Sequence, residues 1–224
     1  NYGLNVQGIV ETDDCKVMRL NDSSGDGTMT LYQVFPGVFL MYNDFHMKQC
    51  VSGFQTDMNL LCIDHCREGR IEQEAGAGAY SYLETGDLRV DQRIHHNGKV
   101  TFPLCHYHGI SIGFQMSVAA KEIPAHMKDF SVDLYELQKK YCSDPKPFVI
   151  PGEPAIEHIF SELYNVPLKI KKYYFKIKVM ELLLYLDALE LSGHTEERPY
   201  FYKGQVEKIK AIQALLTEDL TKNY

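Results

Sequence analysis

Residues 60–90 read LLCIDHCREGRIEQEAGAGAYSYLETGDLRV, and this stretch sets the fold class. Residues 60–66 are mostly apolar and stop at the polar run Arg67-Glu68-Gly69-Arg70. Residues 71–74 follow, then the small-residue stretch Ala75-Gly76-Ala77-Gly78. Tyr80, Tyr82 and Leu83 resume an extended run, and Glu84-Thr85-Gly86-Asp87 has turn composition. Leu88 and Val90 are spaced for one face of a further strand. Short runs punctuated by such turns predict consecutive antiparallel strands in a β-barrel or sandwich. The stretch Gly76-Ala77-Gly78 joins two strand-like runs and opens no helix, so it reads as a hairpin loop and not as a phosphate cradle.

Towards the N-terminus, MTLYQVFPGVFLM (residues 29–41) predicts two strands broken at Pro36-Gly37. Residues 42–50 are aromatic and polar and predict a rim loop or short strand. Residues 1–29 are mixed, with a turn at 22–27. Past the opening stretch, residues 91–101 hold His95-His96-Asn97-Gly98 and predict a loop. FPLCHYHGISIGFQM (residues 102–116) places Ile110, Ile112, Phe114 and Met116 on one face, as in a long strand.

From Pro124 the period changes. Phe130, Leu134, Leu137 and Tyr141 make a helical stripe, and Ile156, Ile159, Phe160 and Leu163 make another that starts at Pro154. Residues 169–191 predict a long helix with two apolar seams, although LKIKKYYFKIKV also alternates like a strand. Phe175, Val179, Leu182, Leu186 and Leu189 form one seam; Tyr173, Ile177, Met180 and Leu184 form the other. Two seams need cover on two sides, either within the subunit or from a partner; the expectation is a homodimer through the first seam. Lys169, Lys171, Lys172, Lys176 and Lys178 read as a solvated flank in preference to a DNA contact. Residues 192–203 read as a linker, and residues 204–224 as an amphipathic helix carrying Ile209, Ile212, Leu216 and Leu220.

The composition limits the partners. With 224 residues and 45% hydrophobic content, the chain can bury a substantial core. A net charge of −7 disfavours unspecific binding to nucleic acid or anionic lipid. No run of about 18 apolar residues occurs, so no membrane span is expected. Six cysteines without a C-x-x-C pair suggest a reduced, cytoplasmic chain.

His106-Tyr107-His108 would put two imidazoles on one face of a strand, a feasible pair of metal ligands. No carboxylate follows until Glu122, which weakens that reading. Cys62 and Cys66 share a face with His65 turned away, and buried small side chains are the expectation. No G-x-S-x-G, P-loop or G-x-G-x-x-G occurs.

The order LLCIDHCREGRIEQE, YSYLETGDLRV and FPLCHYHGISIGF resembles the regulatory region of AraC-type (AraC/XylS) transcriptional regulators. PYFYKGQVEKIKAIQALLTEDLTKNY looks like that family's linker and the first helix of its DNA-binding domain. The resemblance covers residues from about 30 onward; residues 1–29 match nothing in it. It implies an α+β fold: a cupin-like antiparallel β-barrel of jelly-roll type followed by a helical dimerisation region. The implied parts are an effector-binding β domain over 1–120, dimerisation helices over 121–191, a linker over 192–203, and the first helix of a truncated helix-turn-helix domain over 204–224. It further implies a small-molecule effector, and DNA contact only through the missing helix-turn-helix units. The candidate effector-binding residues are Phe39, Tyr42, Phe45, His46, Arg67, Tyr80, Tyr82, His106 and His108, all aromatic or hydrogen-bonding groups on or beside strand-like runs. Arg67 is suited to an anionic ligand group. The expected cavity lies inside the β domain, with no catalytic residue, cofactor or metal. The alternative is a metal-dependent cupin enzyme using His106 and His108.

Overall fold

The computed structural model describes residues 6–12, 15–55, 58–75, 78–93, 95–144, 146–191 and 201–218. The expected α+β class is what the structure has: a curled antiparallel sheet followed by helices. The first half of the sheet contains β1 (Val6–Glu11), β2 (Lys16–Asp22), β3 (Gly25–Phe35), β4 (Val38–Met47) and β5 (Gln49–Gln55). The second half contains β6 (Leu60–Ala75), β7 (Ala79–Glu84), β8 (Leu88–Gln92), β9 (His95–Thr101) and β10 (Tyr107–Gln115). Two short strands, β11 (Phe148–Ile150) and β12 (Phe201–Tyr202), add to β8 and β7. The main path runs β1-β2-β3-β4-β10-β6-β7-β12, and β9 pairs with both β5 and β6.

The Pro36-Gly37 break is the β3–β4 hairpin, where Gly37 has φ +74°. The polar run at Arg67 does not end a strand, contrary to expectation. β6 crosses it with an irregularity opposite His108/Gly109, and Gly69 takes φ +86° with the His106 carbonyl packed against it. A bulge absorbs the extra residue and flips the side-chain alternation beyond it. Residues 42–47, expected as a rim loop or short strand, continue β4, and the expected loop over 95–101 is β9, whose ladder to β5 satisfies a polar segment.

The helices cover one face of the sheet. α1 (Met116–His126) begins directly at the end of β10 and buries Met116, Ala119 and Ile123. It was not expected from the sequence, and it moves the β-to-α boundary ahead of residue 120. α2 (Leu134–Tyr141) starts at Asp133, whose carboxylate accepts from the Tyr135 and Glu136 amides. α3 (Pro154–Tyr164) has its proline in the first turn as expected. A 3-10 turn (Leu168–Ile170) leads into α4 (Lys171–Ala188), and α5 (Lys203–Glu218) follows β12. One core joins the sheet residues Leu40, Ile63, Ile110, Ile112 and Phe114 to buried positions on α1 to α4.

α4 corrects the dimer expectation. Phe175, Val179, Leu182 and Leu186 are buried within the chain itself, and Leu189 packs partly against the same core. Of the other seam, Met180 packs partly against the core, while Tyr173 is 70% exposed, Ile177 61% and Leu184 44%. The lysine cluster also divides. Lys178 is buried between Glu162 (2.5 Å) and Glu181 (2.6 Å), tying α4 to α3, while Lys176 lies over the Phe35 ring.

α5 is helical, as expected, and lightly packed over its described residues. Val206 is buried, whereas Ile209, Ile212, Leu215 and Leu216 are exposed; Leu220 and 192–200 lie outside the described residues. Lys210 pairs with the buried Glu72 of β6, and Lys203 with Glu74. All six cysteines are free thiols, and among the described residues no helix is long and apolar enough to cross a membrane.

Candidate functional site

Strand register decides which side chains meet the helices. Tyr42 on β4 lies opposite Thr30 on β3 and Ile110 on β10, and Ile110 lies opposite His65 on β6. Tyr32 lies opposite Leu40 on the same face. Where the end of α3 and the start of α4 cross this face, a cleft of about 230 Å³ remains. Its lining is Thr30, Tyr32, Tyr42, Leu163, Tyr164, Val166 and Lys171.

The Tyr42 hydroxyl donates to the Leu163 carbonyl at 2.6 Å, joining the sheet to the last turn of α3. Burial holds the Tyr42 phenol well above its ordinary pKa, so it stays a donor. Lys171, the first residue of α4, donates to the Tyr32 hydroxyl at 2.7 Å. Its ammonium sits 4.1 Å from the Tyr32 ring centre, 5.7 Å from that of Tyr42 and 5.6 Å from that of Phe175. No carboxylate of the described residues pairs with it. A cation held by aromatic faces, with no anion of its own among the described residues, suits a small anionic ligand with a flat or apolar body.

Tyr164 connects the cleft to a second row of groups. The Arg67 guanidinium lies 4.6 Å from its ring centre and the His108 ring 5.2 Å away. His65 Nδ1 is 3.4 Å from its hydroxyl. The His65 ring stacks on Phe160 of α3 at 4.1 Å and 6°, and its Nε2 is buried without a partner. Burial, and then the Arg67 charge, push the His65 pKa down to about 4, so the ring is neutral in the core.

The expected site residues therefore separate. Tyr42 lines the cleft, and Arg67 and His108 flank Tyr164 at its edge. His46 and His106 pair with each other, ring centres 4.9 Å apart. The H-x-H expectation thus does not hold as a pair: His106 meets His46 and His108 meets Tyr164. Tyr80 and Tyr82 lie under the 201–218 segment, Tyr80 beneath Lys210 and Tyr82 against Phe201, with the Tyr82 hydroxyl donating to Glu72 at 2.8 Å. Sequence reasoning missed Tyr32, Tyr164 and Lys171. The signal for Tyr32 was its alternation with Thr30.

On the opposite face of the sheet the described side chains pack closely, and the cleft lies on the helix-covered face, not where the cavity was expected. Phe45 stacks on Phe102 at 5.2 Å and on Tyr107 at 6.2 Å. The Phe39 ring covers Gly113, where any side chain would meet Phe39 Cζ at 2.0 Å. Asp64 is buried there between Arg89 (2.6 Å) and Arg93 (2.7 Å) and accepts from the Ser111 hydroxyl at 2.6 Å. Burial opposes the Asp64 charge, but Arg93 and Arg89 outweigh it and hold the carboxyl well below the usual range.

Solved structures resembling this arrangement include the AraC-like transcriptional activator CuxR, at 10% identity and TM-score 0.47, with 92% of this chain and 72% of that one covered. Wild-type ToxT from Vibrio cholerae, solved with an unsaturated fatty acid bound, gives 9% identity and TM-score 0.43 over 83% of this chain and 65% of its own. A Cupin 2 conserved barrel domain protein from Salinispora arenicola gives 13% and 0.32 over 50% and 85%. This chain spans just under two thirds of the ToxT chain. No protein-family model matches the sequence, and no curated protein matches it.

Proposed function

We propose that this chain is the effector-binding and dimerising region of an AraC-type transcription regulator. The observation that carries the reading is where the cleft lies. Its wall is the turn that begins α4, and α4 bears an apolar seam open to solvent. A ligand held by Lys171 would therefore act on the end of the helix that meets the partner. We assign the region no reaction. The effector is a small anion, because the cleft is small and its charged group is cationic. Two copies would pack Tyr173, Ile177 and Leu184 against each other, since a two-fold interface is self-complementary. DNA would be reached through helix-turn-helix units of the kind the sequence resemblance implies.

The test is mass spectrometry of small molecules carried through gentle purification, with sedimentation of the same sample. The reading expects a dimer and an anionic compound retained by wild type and lost from Lys171→Met. A monomer at tens of micromolar, or retention independent of Lys171, would oppose it.

A further inference from the structure

At the rim, the end of β4, the residue preceding β10 and Glu68 of β6 bring together two imidazoles and two carboxylates. His46 Nδ1 and His106 Nδ1 face each other at 3.4 Å. Behind them, His46 Nε2 lies 3.2 Å from Asp44, and His106 Nε2 lies 3.5 Å from Glu68. A carboxylate favours a hydrogen on the nitrogen it faces, so each ring is drawn to its Nε2–H tautomer. The two Nδ1 atoms can then meet in two ways: one carries the hydrogen and donates to the other, or both lone pairs are free and a cation accepted by both takes the place of that hydrogen.

We propose that His46 and His106 form a surface site for a divalent transition metal, distinct from the effector cleft. With zinc–nitrogen bonds of about 2.0–2.1 Å, two tetrahedral ligands stand about 3.3 Å apart, close to the 3.4 Å seen here. The donors are the two Nδ1 atoms, and water completes the coordination. Asp44 and Glu68 act from behind as orienting carboxylates, the arrangement that fixes a ligand histidine's tautomer. Asp44 also lies within 4.8 Å of a ring nitrogen on each histidine, adding negative charge beside the ion. Both histidines are reachable from solvent, His46 with 59% and His106 with 31% of its side chain exposed. The local charge favours a cation, with two carboxylates set against the single guanidinium of Arg67. Imidazole donors select zinc, copper, nickel or cobalt over magnesium or calcium.

The test uses Co²⁺ as probe, on the full chain without a histidine tag, followed by calorimetric titration and visible ligand-field absorption. The expected result is one equivalent bound per chain. His46→Gln and His106→Gln should each abolish it, and Asp44→Asn and Glu68→Gln should each weaken it about tenfold. His126→Gln, on α1 and away from the site, should bind like wild type. Circular dichroism confirms that each variant is folded. Two results overturn the proposal: no Co²⁺ binding by folded wild type, which would leave a shared proton as the cation, or equal binding by the folded His46→Gln/His106→Gln double variant. The cleft variant Lys171→Met should leave Co²⁺ binding unchanged, so this site and the effector reading fail separately.

Discussion

The Tyr42 hydroxyl donates to the Leu163 carbonyl across 121 residues of sequence, and this 2.6 Å bond joins the floor of the cleft to its helical wall. Tyr42→Phe removes the bond, leaves the Leu163 carbonyl without that donor, and keeps the ring packing. The cost should be about 1 kcal/mol of unfolding free energy. Urea denaturation checks it: the midpoint should fall with an unchanged slope.

The ionic core of the sheet should be far less tolerant. Asp64 balances Arg89 and Arg93 in a buried setting. Asp64→Asn keeps the shape and removes the charge, so two buried guanidinium groups lose their closer counter-ion and keep only Asp91, 3.1 Å from Arg93 and 3.9 Å from Arg89. The loss should be about 3–5 kcal/mol, a large share of a typical domain's stability. Thermal unfolding should show it. Arg70→Gln, at a half-exposed pair with Glu84, should cost under about 1 kcal/mol.

His65 should leave a mark on the pH dependence. Its pKa is about 4 in the folded chain, through burial and then Arg67. Unfolded, it should titrate near 6.5. Between these values the unfolded chain binds a proton that the folded chain refuses, so stability falls as pH drops through this window. The loss should reach roughly 3 kcal/mol by the lower end. His108 is also lowered by burial and contributes in the same direction, so the measurement is a difference. His65→Phe keeps the stacking on Phe160, and its stability between pH 4 and 6.5 should fall less than that of wild type.

The two faces of α4 should respond in opposite ways. Leu182→Ala opens a cavity in the core and should cost about 2–5 kcal/mol. Ile177→Glu with Leu184→Glu changes exposed positions and should leave folding intact. Sedimentation should then show wild type as a dimer and the double variant as a folded monomer.

Much of the fold was legible because it rests on local patterns. The alternation of Ile110, Ile112 and Phe114, the turn at Gly86 and the proline opening α3 each carry their cause in adjacent residues. α1 also had a signal, the i, i+3, i+7 spacing of Met116, Ala119 and Ile123, but it follows β10 without a break and contains Pro124. The bulge in β6 and the strand β9 depend on their ladder partners, which no local pattern names. The cleft was legible only in Tyr42. Tyr32, Tyr164 and Lys171 join it from β3, α3 and α4 through tertiary packing. The two seams of α4 were visible as a pair, but which one is buried depends on the sheet it lies against.

The central claim is that the cleft around Lys171 binds a small anion. The direct measurement is the melting temperature of wild type and Lys171→Met against a panel of small aliphatic and aromatic carboxylates and their neutral amides. At about a hundredfold excess over its dissociation constant, a true ligand adds about 2.7 kcal/mol, which is roughly 5–10 °C for a chain of this size. The account predicts such a shift for at least one carboxylate with wild type, none for its amide, and none with Lys171→Met. A flat response of wild type to every carboxylate, or a shift that Lys171→Met reproduces in full, would contradict it.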